Sequence, residues 1–165
     1  MAELTQARLR EILNYNPDTG KFTWRVTLGS RAMAGRPVSQ GLSNGYRTLR
    51  VDGKLYRAHR LAWFYVHGVW PAFGVDHRNA NKTDNRIENL RPASQSQNMA
   101  NDRKRANNTS GFKGVSWSTA RKKWLAHIMV NYHSKYLGAF DAPKEAHEAY
   151  KAASKEHFGE FARSE

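Results

Sequence analysis

The 165-residue chain carries 27 Lys and Arg against 14 Asp and Glu, a formal charge of +13, with 39% hydrophobic and 12% aromatic residues. That composition supports packed cores and excludes a disordered basic tail, and the excess charge points to a polyanion partner, of which nucleic acid is the commonest. The lack of cysteine excludes disulfides and Cys-based zinc sites, and apolar runs far shorter than the ~18 residues of a spanning helix set membrane insertion aside.

A chain of this length holds one medium domain or two small ones. The first ten residues lack the apolar core of a signal peptide, so a cytoplasmic, intracellular protein is expected. Thr5 is placed to cap a helix running through Tyr15, with Leu9, Ile12 and Leu13 on one face. Asn16-Pro17-Asp18-Thr19-Gly20 is turn chemistry, and residues 21–25 alternate as a strand. Residues 28–45, rich in Gly, Ser and Arg, read as a flexible basic loop. Residues 46–51 and 54–57 flank Asp52-Gly53, the strongest local hairpin signal in the chain. Residues 58–67 carry Leu61, Ala62, Tyr65 and Val66 at helical spacing, and residues 69–75 lead as a strand toward Asp76 and His77.

Ser94 is a good N-cap for a polar helix over residues 95–105. The polar, basic stretch that follows has no apolar periodicity, so a linker is expected at 106–111; two glycosylation-like triplets there, beginning at Asn107 and Asn108, read as linker polarity. Residues 112–118, 123–130 and 133–140 read as three short strands. Pro143 then opens a helix with Ala146, Ala149, Tyr150 and Ala153 on its apolar face. The expected class is α+β, with N-terminal β-hairpins and a small three-stranded antiparallel sheet packed on one helix.

The segment Gly-Val-Asp-His-Arg-Asn-Ala-Asn-Lys-Thr-Asp-Asn-Arg-Ile-Glu-Asn-Leu-Arg, residues 74–91, concentrates the chemistry. Phosphodiester hydrolysis needs a water deprotonated beside phosphorus and a cation near the scissile oxygens. His77 is the natural base, since an unperturbed imidazole titrates near ~6.5. On a strand, Asp76 projects to the opposite side and can bind metal without pairing with its neighbour. A break into a loop over 78–86 would then let both meet one phosphate; Asn79, Asn81, Asp84 and Asn85 suit such a loop. Asn89 would hold the imidazole tautomer, and Asn98 would complete the metal shell from its helix. Asp84, Asn85 and Glu88 read as loop scaffold. His59 reads as a DNA-facing residue and His67 as a core or surface histidine, and His127, His133, His147 and His157 lack ligand spacing.

With those residues in place, residues 57–105 resemble the HNH endonucleases, in the H-N-N variant of phage and intron-encoded homing enzymes. The resemblance implies a ββα-metal (His-Me finger) core at about 70–105 within a nuclease domain over 1–105, holding one Mg²⁺ or Mn²⁺ ion. It implies Asp76 and Asn98 as metal ligands, His77 as general base and Asn89 as its orienting partner. His59-Arg60-Leu61 matches the family's upstream helix, and Asn85 with Glu88 its supporting loop.

Charge in the last third is segregated: residues 111–138 hold five Lys or Arg and no acid, whereas residues 139–165 hold four basic and six acidic residues. A basic sheet backed by an acidic helix suggests a DNA-facing sheet. Gly114-Val115, Trp124, Ala126-His127-Ile128, residues 136–140 and the Ala-rich helix resemble the plant Apetala/ethylene-response-factor DNA-binding domain over about 112–162. That resemblance implies contacts from Lys113, Ser116, Ser118, Lys123, His127, Met129 and Tyr136; Trp117, flanked by Ser116 and Ser118, reads either way, and the charge run Arg121-Lys122-Lys123 in the turn reads equally as a phosphate contact or a solvated run. Ser116, Ser118, His127 and Met129 stand where the plant domains carry Arg, Arg, Glu and Arg, so DNA binding is expected without their GC-box preference.

The whole reads as a metal-dependent endonuclease of homing type acting on double-stranded DNA, monomeric with a dimer as the alternative, phage-encoded in a bacterial host. Arg47, Arg50, His59 and Arg60 would add DNA contacts from the N-terminal region. The rival from another class is a non-catalytic DNA-binding regulator that keeps a nuclease-like scaffold.

Overall fold

A computed structural model describes residues 3–164, which divide into two compact units, Met1–Pro92 and Ala93–Glu165. In the first unit Thr5 caps helix α1 (Gln6–Ile12), its Oγ1 accepting from the Arg8 N–H at 3.1 Å. The helix stops short of the expected Tyr15. Leu13 is extended (φ −124°, ψ 148°) and opens strand β1 (Leu13–Asn16), whose residues alternate buried and exposed. Its partner is the antiparallel β2 (Lys21–Trp24), with Leu13 opposite Trp24 and Asn16 opposite Lys21. Leu13 and Tyr15 fit a period of two as well as one of 3.6, and cross-strand pairing settles it in favour of the strand. In the turn between, Asn16 Oδ1 accepts from the N–H groups of Asp18 and Thr19.

A second sheet has the order β3 (Gly41–Ser43), β4 (Tyr46–Val51), β5 (Lys54–Arg57). Both turns place two residues at positive φ, Asn44 and Gly45 at 51° and 81°, Asp52 and Gly53 at 46° and 81°, as the right-handed twist of a tight hairpin requires. The stretch expected as a flexible loop therefore contributes β3, which pairs the free edge of β4 and satisfies backbone groups left open there. Helix α2 (Ala58–His67) follows β5 and ends on Gly68 in the left-handed region. Its Leu61, Ala62 and Phe64 join Leu9, Ile12, Phe22, Leu49, Val51 and Val75 in one buried cluster. The unit closes with β6 (Gly74–His77), a 3-10 turn over Ile87–Asn89, and β7 (Leu90–Ala93), which pairs with β6.

In the second unit, α3 (Gln95–Asn101) carries the expected cap: Ser94 Oγ accepts from Gln97 N–H, and Gln97 Oε1 accepts from Ser94 N–H. It ends before the expected Arg105 because Asp102 is extended. β8 (Val115–Ser118), β9 (Lys123–Val130) and β10 (His133–Phe140) form an antiparallel sheet in the order β10-β9-β8, followed by α4 (Pro143–Phe158). The expected first strand begins three residues late, after Gly114 (φ 74°), where a Cβ would lie 2.1 Å from the Tyr150 ring. Ala146, Tyr150 and Ala153 of α4 pack on Val115, Ala126 and Ile128.

The division between units lies ahead of α3, not in the 106–111 segment expected to link two domains. Ala93 and Ala100 pack with Ile128, Tyr150, Phe158 and Phe161. Lys113 Nζ donates to the Ala100 and Asp102 carbonyls at 2.6 Å each, and Asn131 N–H donates to Ser96 Oγ. α3 is thus built into the sheet-and-helix unit. Among the described residues no helix is long and apolar enough to cross a membrane.

Candidate active site

The break after β6 forms a loop tied by carboxamides. Asn89 Oδ1 accepts from Asn79 N–H at 3.0 Å, and Asn89 Nδ2 donates to the Asp84 carbonyl at 2.8 Å. Asn79 Oδ1 accepts from Asn81 N–H, and Asn81 Oδ1 from Thr83 N–H. Arg86 donates to both Asp84 oxygens and to Glu88, and it holds the Asp84 carboxyl down at about 2. The first hairpin supports the loop from below. Tyr15 Oη donates to the Asn85 carbonyl at 2.6 Å, and Ile87 N–H donates to the Pro17 carbonyl. Gly20 (φ 67°) makes this approach possible, because a Cβ there would lie 2.4 Å from the Asn85 carbonyl carbon.

His77 and Asp76 end β6 side by side, both buried. The carboxamide against the imidazole is that of Asn85, whose Oδ1 lies 3.1 Å from His77 Nε2. The carboxamide expected against the ring from Asn89 is thus that of Asn85, while Asn89 pins loop backbone. With Nε2 protonated, the contact is an Nε2–H donation and the lone pair resides on Nδ1. Burial lowers the His77 pKa, and the Asn85 contact and the charges of Asp76 and Asp84 oppose the shift only in part. The ring is consequently neutral near pH 7, the form a general base requires.

Asp76 is 3% exposed and its Oδ2 accepts from Arg91 Nε at 2.9 Å, with Arg91 itself only 6% exposed. Sequence reasoning missed Arg91; a basic residue in a strand that alternates toward a core is the signal that could have found it. Asp76 retains the hard oxygen chemistry that Mg²⁺ or Mn²⁺ takes, shared with a guanidinium. Asn98, the other expected ligand, is half-buried in the first turn of α3. Among the described residues no three His, Asp or Glu side chains cluster as a metal site.

His59 is not the surface contact expected. It is 3% exposed, its ring 4.9 Å from that of His77 and 5.0 Å from that of Tyr46. Burial first, then the neighbouring His77, Arg57 and Arg60, push its pKa down to about 3. Arg60 and Arg50 are exposed and Arg47 half-buried; Arg50 donates to the Gly53 carbonyl within its own hairpin.

On the C-terminal sheet, alternation and register put Ser116, Ser118, Lys123, His127, Met129 and Tyr136 on the face away from α4. The rings of His127 and Tyr136 are 5.3 Å apart, and Arg121, on the β8–β9 turn with Lys122, donates to Tyr136 Oη. Three expected contacts differ. Lys113 caps the end of α3, and burial lowers its pKa to about 8. Trp117 pairs opposite Trp124 on the other face, their rings 5.1 Å apart. Lys123 is bonded to Asp141, which offsets its charge.

The sequence model of the family described as HNH endonuclease matches residues 56–100. The chain is 30% identical to "Protein 3.8" of Escherichia phage T7 over 111 residues, 67% of this chain and 91% of that protein. No solved structure gives a significant match. The segment that builds the loop, the imidazole and α3 is thus the segment the family pattern covers, and the chain belongs to the family of the phage T7 protein, with an HNH endonuclease domain at residues 56–100.

Proposed function

We propose that the protein is a divalent-metal-dependent endonuclease of homing type that hydrolyses a phosphodiester of double-stranded DNA inside a phage-infected cell. The observation that carries this is the buried neutral His77, bonded through one ring nitrogen to Asn85 and adjacent to the buried carboxylate of Asp76. His77 takes the proton of the attacking water, and Asn85 holds the ring in the tautomer that leaves a lone pair for that transfer. Asp76 and Asn98 would hold one Mg²⁺ or Mn²⁺ ion. That ion, when bound, supplies positive charge to the oxyanion and the leaving oxygen.

Residues up to about 105 would carry the cutting function and residues 112–162 the grip on DNA, α3 serving the first while folding with the second. The sheet face bearing Ser116, Ser118, His127, Met129 and Tyr136, with Arg121 and Lys122 at its turn, fits a groove-facing surface of the ethylene-response-factor type. A monomer is proposed, so a double-strand break would take two engagements.

One observation favours a second reading. The Asp76 carboxylate is already held by Arg91, as in a non-catalytic DNA-binding protein whose site has been closed. A time course on supercoiled plasmid and phage genomic DNA, with magnesium, with EDTA, and with His77→Ala, separates the two. Conversion to open circle or linear DNA by the wild type with magnesium alone supports the nuclease. A gel shift without cutting in magnesium or manganese supports the binding protein.

A further inference from the structure

We infer that Lys82 and Arg57, gathered over the ring of Tyr46 beside His77, form a phosphate-binding pair that holds a backbone phosphodiester of the DNA at the candidate site. The inference deepens the nuclease reading and rests on it. Arg57 Cζ lies 4.7 Å and Lys82 Nζ 5.1 Å from the centre of the Tyr46 ring. That ring is 5.9 Å from His77 and 5.0 Å from His59. Two cations and two imidazoles thus gather round one tyrosine: Tyr46 opens β4, Arg57 ends β5, His59 lies on α2, His77 ends β6 and Lys82 is in the 78–86 loop.

Their placement is built rather than incidental. A Cβ at Gly45 would meet Lys82 Cδ at 3.4 Å, so the lysine stem lies along that hairpin turn. Cation–π attraction to Tyr46 holds each charge at the ring. Among the described residues neither Lys82 nor Arg57 has a carboxylate partner or a side-chain hydrogen bond. Three other arginines of the first unit are paired with acids: Arg8 with Glu11 and Asp52, Arg86 with Asp84 and Glu88, Arg91 with Asp76. Like charges sharing one ring repel, and an anion placed beside both relieves that repulsion. The charge of Lys82 is felt at His77 and that of Arg57 at His59.

A separate observation marks the same place. His59 Nδ1 is buried with no hydrogen-bond partner, in a ring touching both Tyr46 and His77. A buried polar atom left open is the mark of a ligand or water that completes it. A phosphate oxygen, neighboured by a lysine, an arginine and a neutral imidazole, matches the donors available.

The test uses the full chain and a short labelled DNA duplex, comparing wild type with Lys82→Met, Lys82→Arg, Arg57→Gln and, as an exposed control on α4, Lys144→Met. Binding across a salt series in EDTA should show the slope of log affinity against log salt reduced by about one in Lys82→Met and in Arg57→Gln, with wild-type slopes in Lys82→Arg and Lys144→Met. With magnesium, Lys82→Met should cut about ten- to a hundred-fold more slowly, with the rate returned by Lys82→Arg. Melting curves matching wild type would show that the variants fold. Slopes and rates for Lys82→Met and Arg57→Gln equal to those of Lys144→Met overturn the pair. If the wild type itself cuts nothing, the nuclease reading fails and the salt slopes alone decide whether the pair holds phosphate.

Discussion

Replacing Arg91 by Met should destabilise the first unit heavily and make its stability depend on divalent metal. Arg91 Nε donates to Asp76 Oδ2 at 2.9 Å, and the side chains are 6% and 3% exposed, so the screening that weakens surface pairs does not apply. Removing one partner of a buried pair costs about 3–5 kcal/mol, because the remaining charge stays buried and loses that partner's compensation. Against a domain stability of about 5–15 kcal/mol, that is a large part of the whole. For a unit of this size it corresponds to a fall in Tm on the order of 20 °C. The assay is thermal and urea unfolding followed by tryptophan fluorescence, first in EDTA and then in excess magnesium. Magnesium should raise the midpoint of Arg91→Met more than that of wild type, since a cation gains more from a carboxylate that has lost its guanidinium. Asp76→Asn combined with Arg91→Met should recover most of the loss and give a clear coupling term. A cost for Arg91→Met below about 1 kcal/mol, or strict additivity in the cycle, would refute the buried pair as a structural element.

Asn85→Ala should lower kcat/KM about ten- to a hundred-fold while leaving DNA affinity unchanged, as expected for a group acting through the imidazole; equal loss of affinity would count against that role. His59, with a folded pKa of about 3 against an ordinary value of 6.5, makes the native state refuse a proton that the unfolded chain accepts. Stability should therefore fall as pH drops below the unfolded value, by about 2 kcal/mol at pH 5, and level off below the folded one. Urea midpoints of His59→Phe should fall less over the same range, and parallel curves would sink the assignment. Lys113→Met should lower the melting temperature of the second unit, since the amine donates to the Ala100 and Asp102 carbonyls, a loss of about 1.5–3 kcal/mol. Its salt slope for DNA binding should match wild type, and a reduced slope would restore Lys113 to the DNA face.

The elements that could be read from sequence are those with local chemistry. Asp52-Gly53 between alternating runs gives the β4–β5 hairpin, Ser94 with Gln97 starts α3, and Pro143 starts α4. Where two periods compete, the sequence is silent. Leu9, Ile12 and Leu13 suit a helix face, yet Leu13 and Tyr15 equally suit a strand, and only pairing with Trp24 and Phe22 decides. Trp117 shows the same sensitivity, for in a strand one step along the chain reverses the face, and Val115 facing α4 carries Trp117 to that side. The membership of α3 was hidden because Lys113, Asn131 and Phe161, which hold it, are distant in the chain.

At the site, residue types were legible and wiring was not. A loop has no period, so nothing in the order Asn79, Asn81, Asn85, Asn89 says which carboxamide meets the imidazole; turn geometry awards it to Asn85 and gives Asn89 the loop backbone. The wiring also explains why the loop is rich in Asn rather than Asp. A carboxamide accepts from backbone N–H as a carboxylate does and can also donate, as Asn89 Nδ2 does to the Asp84 carbonyl, and it adds no charge against an approaching phosphate. The acids that remain are covered from within, Asp84 and Glu88 by Arg86, Asp76 by Arg91. Lys82 and Arg57, which have no carboxylate partner among the described residues, add positive charge over Tyr46 beside His77, and that charge attracts an approaching polyanion. An Asn81→Asp substitution, isosteric and adding one negative charge to a side chain whose Oδ1 only accepts from Thr83, should therefore weaken DNA association and make its loss with salt less steep than in wild type, without displacing His77. Unchanged association would mean that the loop's amides serve geometry alone.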